Sequence, residues 1–234
     1  MKWPGVIRKL HKWIGLIIGL QLLAWVLGGL VMTSLPIERV RGEHLRAAAP
    51  DVDWQQASYS PQQILQLYPG ARLIKLSHRL GEPAYVLQHN QTEMLVSASS
   101  GRAYSPLASA QAIALAQAAF IGTAAQPEAN YLTEAPIEYR NKALPAWQVR
   151  MQDDENTHVY LDAQTGEVTA MRTGTWRVFD FFWMLHVMDY STRDDFNHPL
   201  VISAAAIALT AILSGFFMLY FVMRRRRHAS TPVP

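Results

Sequence analysis

Eight histidines and no cysteine frame the chemistry open to this 234-residue chain. Without a thiol, disulfides, iron–sulfur clusters and thiol catalysis are excluded. His44, His78, His89 and His158 lie mid-chain with no metal-ligand spacing among them and read as surface or strand residues. His228 follows Arg224–Arg227 and reads as a solvated tail residue. His11, His186 and His198 differ, because each borders or approaches a long uncharged run. Ligating side chains at membrane depth tend to serve function, and neutral imidazole is a ligand for metals, b-type haem iron among them. Gly15 lies one turn beyond His11 and Gly19 one turn further, which leaves space for a flat macrocycle or a close helix. The same Gly15-x-x-x-Gly19 spacing reads equally as a helix-packing seam, as does Ala211-x-x-x-Gly215. His198 has its own alternative, as the cap of the helix that follows it.

Other constellations are absent. There is no Ser-His-Asp pattern, no pair of carboxylates at recognisable spacing and no G-x-G-x-x-G fingerprint. Asp153, Asp154 and Glu155 read as a solvated hairpin tip. Met32, Met184, Met188, Met218 and Met223 lie near the ends of apolar runs and read as packing.

The elements that must position the three histidines are two membrane spans. The mean hydropathy of +0.02 hides strong segregation. Residues 14–32 and 199–223 carry no charge, and both pass the length of about 18 residues needed to cross a bilayer. At 1.5 Å per residue they extend about 28 and 37 Å. The first flank holds Lys2, Arg8, Lys9 and Lys12, the last holds Arg224–Arg227, and neither has an acid. All 18 acidic residues lie between, against 13 basic ones, a formal charge of −5 for the middle. Lysine and arginine mark the cytoplasmic side, so both termini are expected there, with the middle on the far side. The pI near 9.2 thus reflects anchoring clusters, and nucleic acid is not an expected partner. No small-x-small cleavage site follows the first run, which reads as an uncleaved anchor. His11 and His186 then lie about 30 Å apart across the bilayer, so one chain cannot put both on the same iron. If both bind haem there are two levels, each completed locally: His186 with His198, or equivalents from a second chain.

The expected organisation is a basic N-terminus (1–12), a first span (13–33), a linker (34–57), two related units (58–107 and 108–174), an interfacial helix (175–190), a second span (199–223) and a basic tail (224–234). Each unit opens with a helix. Ser60 and Pro61 suit the N-cap and first position of the first helix, and 109–120 form the second. Strand-like runs at 72–78, 84–89 and 93–97 match runs at 137–140, 146–151 and 158–162. Pro83-Ala84-Tyr85-Val86 resembles Pro145-Ala146-Trp147-Gln148-Val149, and Ser100-Gly101 resembles Thr165-Gly166. Residues 175–190 are aromatic, with Phe179, Phe182, Trp183, His186 and Tyr190 on one helical face and an Arg177–Asp180 pair expected beside it. The fold class is membrane α+β: two transmembrane helices, a four-helix bundle if dimeric, flank a domain of two helix-plus-antiparallel-sheet units.

Leu10-His11-Lys12-Trp13-Ile14-Gly15-Leu16, Leu185-His186 and the run Val159–Val168, with its Tyr160-x-Asp162-x-x-Thr165-Gly166-Glu167 ending, resemble the PepSY-associated transmembrane proteins over nearly the whole chain. The resemblance implies PepSY-like outer units in the periplasm of a bacterial inner-membrane protein linked to iron uptake. It further implies haem b and reduction of ferric iron or a ferric siderophore, with electrons from a cytoplasmic or quinone donor. Larger relatives have four or more spans in one chain, and a homodimer would restore that number here. PepSY domains also act as binding modules, which leaves two further readings: a non-enzymatic anchor for a partner, or an accessory subunit of an iron transporter.

Overall fold

The computed structural model describes residues 3–229, with side chains described from Lys12 to Phe216 and at Leu219, Tyr220 and Met223. The chain divides into two units, Met1–Ser34 with Phe179–Pro234, and Leu35–Val178.

The first unit is helical. α1 (Trp3–Ser34) and the last helix of the chain, Pro199–Ala229, each contain a stretch long and apolar enough to cross a membrane, Lys12–Ser34 and Pro199–Phe216. Only 11 % of each stretch is buried. The two helices touch, and Ile18 on the first and Ala204 and Ala208 on the last are buried. Small residues let the backbones approach, which is how helices pack where lipid competes for apolar surface. Gly15, Gly19 and Gly215 face open space.

The second unit begins with two single turns, α2 (Ile37–Val40) and a 3₁₀ turn at Glu43–Leu45, and a further 3₁₀ turn at Trp54–Gln56. α3 (Pro61–Leu67) starts with a complete capping box. The Ser60 hydroxyl accepts the Gln63 N–H at 3.4 Å, and the Gln63 side-chain oxygen accepts the Ser60 N–H at 2.8 Å. β1 (Arg72–Arg79), β2 (Glu82–His89) and β3 (Thr92–Ser97) follow as an antiparallel meander. The pattern then recurs. α4 (Ser109–Ala118) precedes β4 (Glu128–Leu132), β5 (Ala146–Arg150), β6 (His158–Asp162) and β7 (Val168–Arg172), paired in sequence order. Ala108 has no hydroxyl to offer, so α4 keeps only half of the box, Gln111 accepting the Ala108 N–H at 3.0 Å.

Each helix covers one face of its sheet. Ile64 of α3 packs on Tyr85, Leu87 and Val96, and Ala112, Ala116 and Phe120 pack on Val149, Val159, Leu161 and Met171. The opposite faces are buried too, by Ala84, Val86 and Leu95 in the first sheet and by Tyr139, Ala146, Tyr160 and Ala170 in the second. This explains why β2 reads as a continuous buried run, Pro83–Leu87, instead of alternating.

Three sequence expectations are corrected. Residues 137–140 are not a strand: Ile137–Tyr139 form a 3₁₀ turn behind Pro136. The first strand of the second meander is β4, and β7 adds a fourth strand, whose place in the first sheet is taken by the isolated bridge of Ala103 to Val96. The aromatic helix α5 spans Gly174–Val187 and does not reach Tyr190, because Met188 turns left-handed with φ of 54°. α6 is the final helix, Pro199–Ala229.

Candidate functional site

Two groups of side chains hold the titratable chemistry, one in each unit. In the helical unit, α5 presents His186. Its ring is exposed, lies 6.3 Å from the Trp25 ring of α1 at 52°, and makes no hydrogen bond among the described residues. Its backbone carbonyl accepts the Trp25 indole N–H at 3.0 Å. Gly28 lies beside Phe182, where a Cβ would make an ordinary van der Waals contact at 3.7 Å. The imidazole is therefore held through its backbone and keeps both nitrogens available.

His198 is placed differently. Its carbonyl accepts the N–H groups of Val201 and Ile202, and its Nδ1 accepts the N–H of Leu200 at 3.3 Å. It caps α6. In that state the proton of a neutral ring sits on Nε2, and ligation through Nε2 requires the cap to break. Among the described residues, no hydrogen bond or ring contact joins His186 to His198, and no group of three or more His, Asp or Glu could hold a metal ion. The side chain of His11 lies outside the described residues.

The loop between α5 and α6 is built around Asp189, which is 1 % exposed. Its carboxylate accepts backbone N–H groups from Ser191, Thr192, Asp194 and Asp195 at 3.1–3.2 Å, and the hydroxyls of Ser191 and Thr192. The Thr192 hydroxyl, then these backbone bonds and the Ser191 hydroxyl, hold it far below the ordinary carboxylate range against the opposing effect of burial. Arg193 reaches the buried Asp180 at 2.5 Å, and the Trp183 indole donates to the Arg193 carbonyl at 2.9 Å. Asp180 is thus an ion-pair partner of Arg193, where the sequence pointed to Arg177.

Arg177 belongs instead to the second group. Glu138 sits on the 3₁₀ turn before β5, His158 and Tyr160 on β6, Gln148 on β5, and Arg177 at the start of α5. Glu138 Oε2 accepts from Arg177 Nε at 2.9 Å; Oε1 accepts the Tyr160 hydroxyl at 2.5 Å and meets His158 Nδ1. Gln148 donates to the Tyr160 oxygen at 2.6 Å, and Tyr139 stacks on Tyr160 at 4.5 Å. Burial pushes the Glu138 carboxyl up, but the bonds from His158 and Tyr160 and the charges of His158 and Arg177 outweigh it and lower it to about 2. Burial first, then Glu138, raises the Tyr160 phenol. His158 Nδ1 also lies 2.9 Å from Arg177 Nη2. One nitrogen cannot donate to Glu138 and accept from Arg177 at once, so its protonation chooses between them. The group clamps the start of α5 to β6. His158 read as an ordinary strand residue in sequence. The available signal was the polar side His158, Tyr160, Asp162 alternating with Val159 and Leu161 on β6.

The Tyr160–Glu167 run also gains a physical account. Asp162 Oδ1 accepts the N–H groups of Gln164 and Thr165 at 2.9 and 2.7 Å, closing an Asx turn. Gly166 follows with φ of 74°, where a Cβ would meet Leu115 of α4 at 2.8 Å. Gly101 repeats this after β3, with φ of 70° and Leu67 of α3 at 2.9 Å.

No curated protein and no solved structure matches the chain. The PepSY-associated TM region family matches residues 8–232. With two candidate spans and a match over nearly its whole length, the chain is a membrane protein and belongs to the PepSY-associated TM region family.

Proposed function

We propose that the protein is a bacterial inner-membrane haem-b protein that passes electrons to ferric iron or a ferric siderophore at the periplasmic face, in support of iron uptake. The observation that carries this reading is His186: an exposed imidazole on α5, fixed by its backbone, with both ring nitrogens free of hydrogen bonds among the described residues. A ligand histidine needs one nitrogen for the metal and offers the other to an orienting partner. His186 would hold the haem iron, and His198, as the cap of α6, fits less well. His186 of another copy would complete the site, so the reading includes a homodimer whose four spans form a bundle around it. The sparse burial of both spans leaves helix surface for such a partner as well as for lipid. His11 would serve a second level near the cytoplasmic face, filled from a cytoplasmic or quinone donor. Haem bound there would supply one-electron transfer; the chain's own part would be to hold it at two depths.

A second reading is a membrane-anchored binding module without haem, a partner anchor or transporter subunit. It is favoured by the Glu138 cluster, whose groups are mutually satisfied and aimed at holding shape. Visible spectra of the detergent-purified protein, oxidised and dithionite-reduced, separate the two. The expected result is a Soret band and sharp reduced bands at a haem-to-chain ratio near one. His186→Ala and His11→Ala should each remove part of the signal, and His198→Ala should largely retain it. A colourless wild-type protein, expressed with haem supplied, would leave the binding module standing alone.

A further inference from the structure

We propose that the free edge of β1 is a docking surface for an extended acidic polypeptide segment, which joins the first sheet as a fourth strand. The inference is independent of haem. β1 pairs with β2 on one side only. Among the described residues, no strand, isolated bridge or backbone hydrogen bond engages its other side. The far edge of the same sheet is closed. There Ser97 donates to the Arg102 carbonyl at 2.9 Å, and Tyr104 donates to the Leu95 carbonyl at 2.7 Å. An eight-residue edge strand with unpaired amides and carbonyls is a template for strand addition.

Its side chains fit that use. Ile74 and Leu76 are 40 % and 57 % exposed, and Leu80, just past the strand, is 50 % exposed. The register with β2 slips between Leu73 and Lys75, so Lys75–Arg79 form the regular stretch that a partner would extend. Between Trp54 and Gly81 the sequence has no acid, while β1 carries Arg72, Lys75 and Arg79. Two of these cations rest on neutral partners. Arg72 reaches the Gln88 side chain at 2.7 Å, and Arg79 lies over the Tyr104 ring at 4.2 Å. Lys75 already draws the carboxylate of Glu167 from the turn between β6 and β7, and the nearby Glu82 is engaged by the Tyr104 hydroxyl. A second copy of β1 is the wrong occupant. Antiparallel self-pairing sets Arg72 against Arg79, in-register parallel pairing sets every cation beside its twin, and like charges directly opposite destabilise a strand pair. A segment alternating apolar and acidic residues meets both the exposed leucine and isoleucine and the cations.

The test uses the full chain in detergent and three labelled eight-residue peptides: alternating Val and Glu, alternating Val and Lys, and the Val/Glu peptide N-methylated on alternate amides. Fluorescence anisotropy reads binding, and hydrogen exchange reads protection of residues 72–79. The expected result is binding of the Val/Glu peptide with slowed exchange confined to that strand. Binding should weaken at least tenfold for the N-methylated peptide and for Leu76→Glu, whose exposed position leaves folding intact by circular dichroism. Absence of Val/Glu binding, equal binding of the Val/Lys peptide, or binding without protection of 72–79 overturns the proposal. So does a dimer that Leu76→Glu dissolves, which would make a second copy the occupant.

Discussion

Glu138 is a single carboxylate with four side-chain partners, His158, Tyr160, Arg177 and Gln148, and its removal has measurable effects. Its side chain is 11 % exposed and that of Arg177 29 %. Removing the charge with Glu138→Gln leaves a guanidinium short of its counter-ion. A fully buried pair broken this way costs about 3–5 kcal/mol; with Arg177 partly in water, about 2 kcal/mol is expected. Denaturant unfolding of the full chain in detergent, followed by tryptophan fluorescence, checks it. The pH dependence has a definite sign. The folded carboxyl titrates at about 2 against 4.5 for the free group. The unfolded chain therefore takes up this proton first on acidification. The stabilisation is complete above about pH 4.5 and is lost as the pH falls toward 2. Wild-type protein should weaken across that window, and Glu138→Gln should weaken less steeply. A residual slope is expected from Asp189, which is shifted in the same direction. An identical slope in the variant would mean that the carboxylate is not ionised in this contact.

At the scale of elements, the two turn glycines carry the clearest prediction. Gly166 combines a left-handed φ with a Cβ position 2.8 Å from Leu115. Gly166→Ala should therefore cost about 1–3 kcal/mol, more than an alanine in open space, and Gly101→Ala should behave alike. Ser60→Ala should cost about 1 kcal/mol through the lost cap of α3. Midpoint shifts in the same unfolding assay measure all three. These features were legible because their causes are local. A cap, a proline at the first helical position and a turn glycine act within four residues, and the uncharged length of a span is read from one contiguous run. The errors have the opposite origin. Ile137–Arg140 looks strand-like by composition, yet it follows Pro136 and serves to deliver Glu138. β4, Glu-Ala-Asn-Tyr-Leu, lacks β-branched residues and is made a strand by its pairing with β5. The Glu138 cluster joins residues 20, 22 and 39 positions apart, which no periodicity reveals. His198 was readable as a cap or a ligand, and only the Leu200 N–H on its Nδ1 favours the cap.

For the whole molecule, the arrangement of charge along the chain makes the most direct prediction. Two uncharged spans are each flanked on one side by four basic residues and no acid, and on the other by the acidic middle. Lysine and arginine near span ends resist transfer, so the expectation is that both basic flanks lie on one side and residues 34–198 on the other. The sequence contains no cysteine, so a single introduced thiol reports its own location. Asp154 lies exposed in the β5–β6 hairpin turn. Asp154→Cys in intact bacterial cells with a permeabilised outer membrane should react with a membrane-impermeant maleimide. Ser230→Cys, beyond the arginines, should react only after the inner membrane is lysed. If the two positions label together in intact cells, one run does not span. If the pattern is reversed, ferric reduction at the periplasmic face is lost as a function for this domain, whatever the spectra show. Moving charge provides the control. Replacing Arg224–Arg227 with glutamine removes the determinant of the second flank, and mixed labelling of Ser230→Cys in that background would show that these arginines set the orientation.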